Sequence, residues 1–390
     1  MNTPTTTPAA FQTDVVVVGL GAFGSAALWR LAARGVRVTG VERFGVGHAL
    51  GSSHGATRLF RVACYEHPAL APLALRSLAL WTELGERTGE VLVRQTGCLN
   101  TGSPTSAPVA GTLAAAEVAG VPVKTLNAEE VRQTYPGYAW LDDDDLGVLD
   151  PWAGICYPER NVRAHVAEAR RLGAEVFEHT TVTAVETTDD GVLVRTPTAT
   201  IAARQVVVAT GAWLGTLVPD LPLDPRRMPM FFFRAHPGHE QDYALDAFPA
   251  FTRALPDGTE VWGHGSAEDY GIKLGLLPDG ENFAPTQAET LDRFVHASDS
   301  AELSAAVARA FPGVDPTPEK ATPCMVNNTP DEQFVIGRPH GTERVVVAGG
   351  DSAHGFKHAA GVGELVAQLV VGEDPFLDTG FVDPRRFATA

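Results

Sequence analysis

The period of the apolar positions changes several times along the chain. Residues 14–19 read DVVVVG, apolar at nearly every position and closed by glycine. Such a run suits a strand buried on both faces of a parallel sheet. Gly19-Leu20-Gly21-Ala22-Phe23-Gly24 follows at once. Over residues 25–34 the spacing becomes helical, with Ala27, Leu28, Leu31 and Ala32 as the buried face. Arg34 and Gly35 provide the cation and the stop that suit a helix C-terminus. Residues 36–41 read as a second strand, and Glu42 closes it.

The same reading predicts helices over 68–89, 107–119, 161–172, 302–310 and 361–371. Asn127, with Glu130 three residues on, marks a capped helix start over 127–132. Strands are expected over 91–100, 175–180, 181–186, 191–195, 205–209 and 345–348, and a β-rich stretch over 230–252 and 260–275. Nucleotide-type segments therefore stand at the start, the middle and the end of the chain. One continuous Rossmann unit has no need of that order; an interleaved chain does. The expected fold is α/β (α+β). A Rossmann-like nucleotide-binding domain takes residues 1–92, 151–220 and 325–390, and a mainly antiparallel-sheet second domain takes 93–150 and 221–324.

A chain of 390 residues suits two domains better than one. A net charge of −17 repels phosphate backbones and argues against a nucleic-acid partner. No apolar run reaches membrane-spanning length, and the Thr- and Pro-rich residues 1–14 read as a disordered tail, not a signal peptide. A soluble, cytoplasmic monomer is expected. Cys64, Cys98, Cys156 and Cys324 lack CxxC spacing, so reduced and mostly buried thiols are expected. Histidines do not cluster with cysteines or acids, and no metal site is expected.

GLGAFG fits the dinucleotide fingerprint G-x-G-x-x-G. Gly19 allows the tight turn, Gly21 lets the backbone approach a pyrophosphate, and Gly24 lets the helix pack on the strand. The helix N-terminus then faces the phosphates. Glu42 stands where a ribose-binding acid belongs and disfavours a 2′-phosphate. This unit alone leaves FAD and NAD open. The strand running into Thr210-Gly211 and the late strand running into Gly349-Gly350-Asp351, in that order, favour FAD.

Four segments carry a resemblance. They are Ser53-His54-Gly55-Ala56-Thr57-Arg58-Leu59-Phe60-Arg61, Gly271-Ile272-Lys273-Leu274-Gly275, the run from Cys324-Met325 through Thr329-Pro330-Asp331-Glu332 to Phe334, and the run from His354-Gly355-Phe356-Lys357 to Gly361-Val362-Gly363-Glu364. Together they resemble the monomeric sarcosine oxidase and N-methyltryptophan oxidase family. The resemblance implies FAD held covalently through Cys324, with His54 and Gly355 beside it. It implies Lys273 above the flavin as the group that activates O2, Arg58 as a flavin-side cation and His354 as a further site residue. It also implies Arg61 and Lys357 as a clamp for a substrate carboxylate. Lys273 by itself also fits the polar face of an alternating strand, and Cys324 a buried structural thiol.

The chain departs from the family at two positions that line its substrate cavity. Leu277, in Leu276-Leu277-Pro278-Asp279, stands in place of a histidine, and Trp262 in place of a tyrosine. The expected function is oxidation of a secondary amino acid bulkier than sarcosine to an imine, with O2 reduced to hydrogen peroxide. Desaturation of a cyclic imino acid is the alternative. An NAD-dependent dehydrogenase and a non-catalytic binding protein are the rivals from other classes.

Overall fold

The computed structural model describes residues 10–138, 140–277 and 283–387. Of the expected tail, residues 1–9 lie outside them, as do Pro278 and Asp279.

The apolar run at the start is a strand, Ala10–Val18, at the centre of an eight-stranded sheet. It pairs in parallel with Val38–Val41 on one side and Thr200–Val208 on the other. Glu175–Phe177 extends the parallel ladder beyond the first, and Val345–Gly349 beyond the second. So the early, middle and late strands lie side by side, which is why each is apolar at nearly every position. Alternation along the strand sorts the two faces. Val15 and Val17 join a core with the helices Ala22–Ala32, Ala71–Thr88, Pro158–Arg171 and Ala359–Val371. Val16 and Val18 join another, with Val192, Val194 and Ile201 of an antiparallel extension.

Three of these helices meet at Glu364. Its carboxylate takes Arg30 at 2.6 Å, Arg34 at 3.1 Å and Arg76 at 2.8 Å. Burial opposes that charge, yet the three guanidinium groups hold the acid down at about 2. Glu364 thus ties helices together and stays away from the cavity.

The second eight-stranded sheet runs Lys320–Thr322, Met230–Phe233, Ile272–Leu276, Glu260–His264, Ala250–Ala254, Cys98–Gly102, Leu146–Asp150 and Lys124–Asn127. Every pairing is antiparallel except that of Ala250–Ala254 with Cys98–Gly102. Phe231, Phe233, Phe251, Ile272 and Leu274 face a core under the helix Ser298–Ala310. Phe248 stacks on Tyr138 at 4.7 Å and meets Phe251 edge-on at 5.0 Å. Such pairs contribute ~0.5–1.5 kcal/mol each beyond area burial and anchor the far face of the sheet. The alternate residues Thr252, Trp262, Lys273 and Gly275 take the near face, toward the parallel-sheet unit.

Several expectations need correction: the tail expected over 1–14 is already strand from Ala10, paired with Thr200–Val208. The strand expected over 91–100 is two strands, Val93–Arg94 and Cys98–Gly102, in different sheets. Gly97, at φ 83°, turns the chain between them. The strand expected over 181–186 is displaced to Ala184–Thr187. The helices expected from 302 and 361 begin at Ser298 and Ala359. The capping box is present: Asn127 Oδ1 accepts from the Glu130 amide and Glu130 from the Asn127 amide.

Candidate functional site

A cavity of about 790 Å³ runs between the two sheets. The glycine turn lines it through Gly19 and Gly21. Gly19 has φ 84°, and a Cβ at Gly24 would lie 1.8 Å from the Gly19 carbonyl oxygen. No other residue fits there, so the helix can begin against the strand only with glycine. Glu42 closes the second strand with both oxygens engaged. Oε2 accepts from the Leu20 amide at 2.7 Å and Oε1 from the Phe44 amide at 2.9 Å. Burial works against its charge, but His48 and these amides hold it below the usual carboxylate range. Glu42 therefore braces the turn as well as lining the cavity. Ser53 Oγ accepts from the Ala22 amide at the helix start. Thr210 and Gly211 also line the cavity, and Thr210 Oγ1 is buried without a partner among the described residues.

Cys324, 3% exposed, lines the same cavity. Its sulfur is 3.9 Å from the Arg58 guanidinium and 3.9 Å from the Ser52 carbonyl oxygen. Burial pushes the thiol up, against the pull of Arg58. Arg58 donates to the carbonyls of Thr57 and Ser52, so its charge is fixed beside the sulfur. All four cysteines are free and buried; Cys324 alone among them lines the cavity. The Asp351 carboxyl, also on the wall, is pushed up to about 6 by burial.

Also on the cavity wall, Arg61 and Lys357 meet on one carboxylate. Arg61 Nη2 donates to Glu66 Oε1, and Lys357 Nζ donates to the same oxygen at 2.9 Å. The Arg61 guanidinium lies over the Tyr65 ring, 4.5 Å from its centroid. Its Nε and Nη1 are buried with no partner among the described residues. Burial opposes the charges of Arg61 and Glu66, yet Arg61 and Lys357 hold Glu66 well below the usual carboxylate range, and Glu66 keeps Arg61 protonated. Lys357 also donates to the His354 carbonyl at 3.0 Å. Burial and Lys357 push the His354 imidazole down to about 4, so it is neutral at pH 7. Gly355, whose Cβ would strike Asp351, lets this loop fold tightly onto the wall.

Trp262 and Leu277 line the cavity roof. The indole lies flat over Gly275, where a Cβ would come within 2.3 Å of it, and its Nε1 donates to the Leu276 carbonyl at 2.8 Å. The ring therefore presents apolar surface with its one donor already satisfied.

Two predicted site residues stand behind the wall. Lys273 is 1% exposed, which excludes the surface reading. Its Nζ donates to the Gly55 carbonyl at 2.9 Å and the Thr57 carbonyl at 2.6 Å. Burial, then Arg58, depresses its pKa well below the ordinary lysine value. His54 is buried with Nε2 unpartnered, and burial with Arg58 and Lys273 pushes it down to about 3. Gly24 also stays off the cavity surface and acts through helix packing.

Residues 14–369 match the model of the family described as FAD dependent oxidoreductase. The chain belongs to this family. It is a flavin-dependent amine oxidase. The oxidase is 38% identical to monomeric sarcosine oxidase of Streptomyces avermitilis over 97% of this chain and 98% of that one. It is 32% identical to N-methyl-L-tryptophan oxidase of Yersinia pestis, over 96% and 99%. Among solved structures it is similar to NikD, an unusual amino acid oxidase essential for nikkomycin biosynthesis, with a TM-score of 0.82 and 26% identity over 96% of this chain and 98% of that one. The residues of the oxidase fit FAD. The glycine turn, the helix start behind Ser53, the acid at the strand end and the unpartnered Thr210 hydroxyl form one continuous cradle. Bound there, FAD supplies the acceptor for two electrons from the carbon beside an amine nitrogen. Among the described residues no helix is long and apolar enough to cross a membrane.

Sequence reading missed Glu66, the shared counter-ion. It stands five residues after Arg61, and nothing in that spacing announces a contact with Lys357, which is 291 residues away. It also missed Asp150, whose Oδ2 accepts from the Val62 and Ala63 amides and fixes the chain just after Arg61.

Proposed function

We propose that this oxidase acts on a secondary amino acid bulkier than sarcosine, converting it to an imine as O2 is reduced to hydrogen peroxide. One observation carries the reading. A single cavity is lined by the dinucleotide cradle, by Cys324 and by the Arg61–Lys357 pair, with Trp262 and Leu277 adding apolar surface. The unpartnered Arg61 nitrogens would take the substrate carboxylate. The roof would cover the substituent on carbon or nitrogen. Residues 93–150 and 221–324 would form the substrate domain and the remainder the FAD domain, with the reacting carbon between them. O2 would be the second substrate of a monomeric enzyme.

Covering an aliphatic or ring substituent contributes roughly 1–3 kcal/mol over a bare methyl. A panel of sarcosine, larger N-methyl amino acids, proline and pipecolate is therefore expected to rank sarcosine low in kcat/KM. Formaldehyde beside peroxide identifies demethylation; peroxide without it identifies oxidation of a cyclic imino acid. Sarcosine as the best substrate would overturn the argument from the roof.

We propose further that the flavin is tethered through Cys324. It is the cysteine on the cavity wall, and Arg58 beside it favours the thiolate. Acid-precipitated protein is expected to stay yellow, and a tryptic peptide containing Cys324 to carry the flavin mass. Cys324→Ser is expected to release all flavin into the supernatant. A colourless wild-type pellet rules the tether out.

A further inference from the structure

Glu159 opens the helix Pro158–Arg171, where an acid ordinarily serves its own helix N-terminus. Here the carboxylate turns outward. Oε1 accepts from the Gly55 amide at 2.8 Å and the Ala56 amide at 3.2 Å. The same short loop holds Lys273 from its other side, through the carbonyls of Gly55 and Thr57. We propose that Glu159 is a positioning residue: it fixes the loop at 55–57 and, through that loop, the Lys273 ammonium. The proposal rests on the reading of Lys273 as the group that serves O2.

The loop needs such a hold. Ala56 lies at φ 65°, in the left-handed region that a side chain disfavours. Gly55 is at φ 93°, and a Cβ there would strike Met230. The Thr57 amide closes back on the Gly55 carbonyl at 2.7 Å. On the sheet side, His264 Nδ1 pairs with the Gly265 carbonyl at 2.6 Å, so that nitrogen carries the proton. Nε2 then accepts from the Thr57 hydroxyl at 2.7 Å. Glu159 grips the loop from the helix layer, while His264 and Lys273 grip it from the antiparallel sheet. Ser52 and Arg58, beside Cys324, stand at the edge of the same loop. The clasp therefore sets where the lysine sits relative to the cavity.

Charge adds a second effect. The groups facing Lys273 are Arg58 and His54 from the loop, Glu159 from the helix, His264 from the neighbouring strand, Cys156 from the strand Gly154–Cys156, and Cys324. Of these, Glu159 is the carboxylate. Its negative charge favours the ammonium, against burial and Arg58.

Two variants separate geometry from charge. Glu159→Ala removes both; Glu159→Gln keeps an acceptor oxygen for the two amides. Amide hydrogen exchange of the holoenzyme, read on the peptide spanning 52–60, is expected to accelerate in Glu159→Ala and to stay near wild type in Glu159→Gln. Reoxidation of the reduced enzyme by O2 is expected to slow about tenfold or more in Glu159→Ala, with anaerobic reduction by substrate little changed. The alkaline limb of the reoxidation pH profile is expected to move to lower pH in both variants, because each loses the charge that favours the ammonium. Unchanged exchange in Glu159→Ala, or equal slowing of both half-reactions, would overturn the proposal. Normal reoxidation in Glu159→Ala beside slow reoxidation in Lys273→Met would overturn it alone. Normal reoxidation in Lys273→Met would overturn the reading of Lys273 and this inference with it.

Discussion

Lys273→Met is expected to slow reoxidation of the reduced enzyme by O2 by about a hundredfold or more, while substrate reduces the enzyme at close to the normal rate. The lysine is buried, and among the described residues its ammonium touches two carbonyl oxygens and no carboxylate. A positive charge held this way is dear to maintain, since desolvation disfavours it. Such a charge acts strongly on any negative charge that develops nearby, because little water screens it. The electron that O2 accepts first creates a charge of that kind. Substrate oxidation does not involve O2, so the two half-reactions should separate. Methionine keeps the length and apolar character of the side chain and fits the same slot between Phe232 and the loop. Stopped-flow measurement of each half-reaction reads the result. Equal slowing of both, or of neither, would remove Lys273 from the oxygen reaction.

The parts of this site that were legible in the sequence are those the backbone dictates locally. Gly19, Gly21 and Gly24 are readable because one turn needs a positive φ and another position tolerates no Cβ. The strands at 14–19, 205–209 and 345–348 are readable because a strand covered on both faces is apolar at every position, and they do lie side by side. The burial of Lys273 was foreshadowed by Ile272 and Leu274, yet those neighbours face the opposite side of the sheet, so the alternation alone fits a surface lysine equally well. The break at Gly97 was missed, although a glycine inside a strand pattern is a recognised sign of one. The contacts of Glu66 and Glu159 were not legible. Each joins segments about a hundred residues apart or more, and such pairs follow from how the two sheets face each other. The meeting of Arg61 with Lys357 came only from the resemblance, for the same reason.

Glu66 changes what the clamp is expected to do. Arg61 and Lys357 carry two positive charges, and Glu66 neutralises one of them before any substrate arrives. A substrate carboxylate then brings the cluster to neutrality, which suits a buried site. Arg61→Ala or Lys357→Ala leaves one cation already satisfied by Glu66 and no surplus charge to bind the substrate. Either change is expected to cost on the order of 2–5 kcal/mol in kcat/KM for an amino acid. The matching amine without a carboxylate should lose far less. Glu66→Gln acts in the opposite direction. It frees both cations, so a carboxylate meets two unopposed charges and competitive carboxylate ligands should bind more tightly. The Arg61 guanidinium keeps its place over Tyr65 in that variant, and this guards against simple collapse of the clamp. Binding titrations with a carboxylate inhibitor, set beside kinetics on the amino acid and its decarboxylated amine, decide the matter. If Glu66→Gln weakens carboxylate binding, Glu66 orients the two cations and does not compete for them. If Arg61→Ala and Lys357→Ala lose activity equally on both substrates, no carboxylate is bound there.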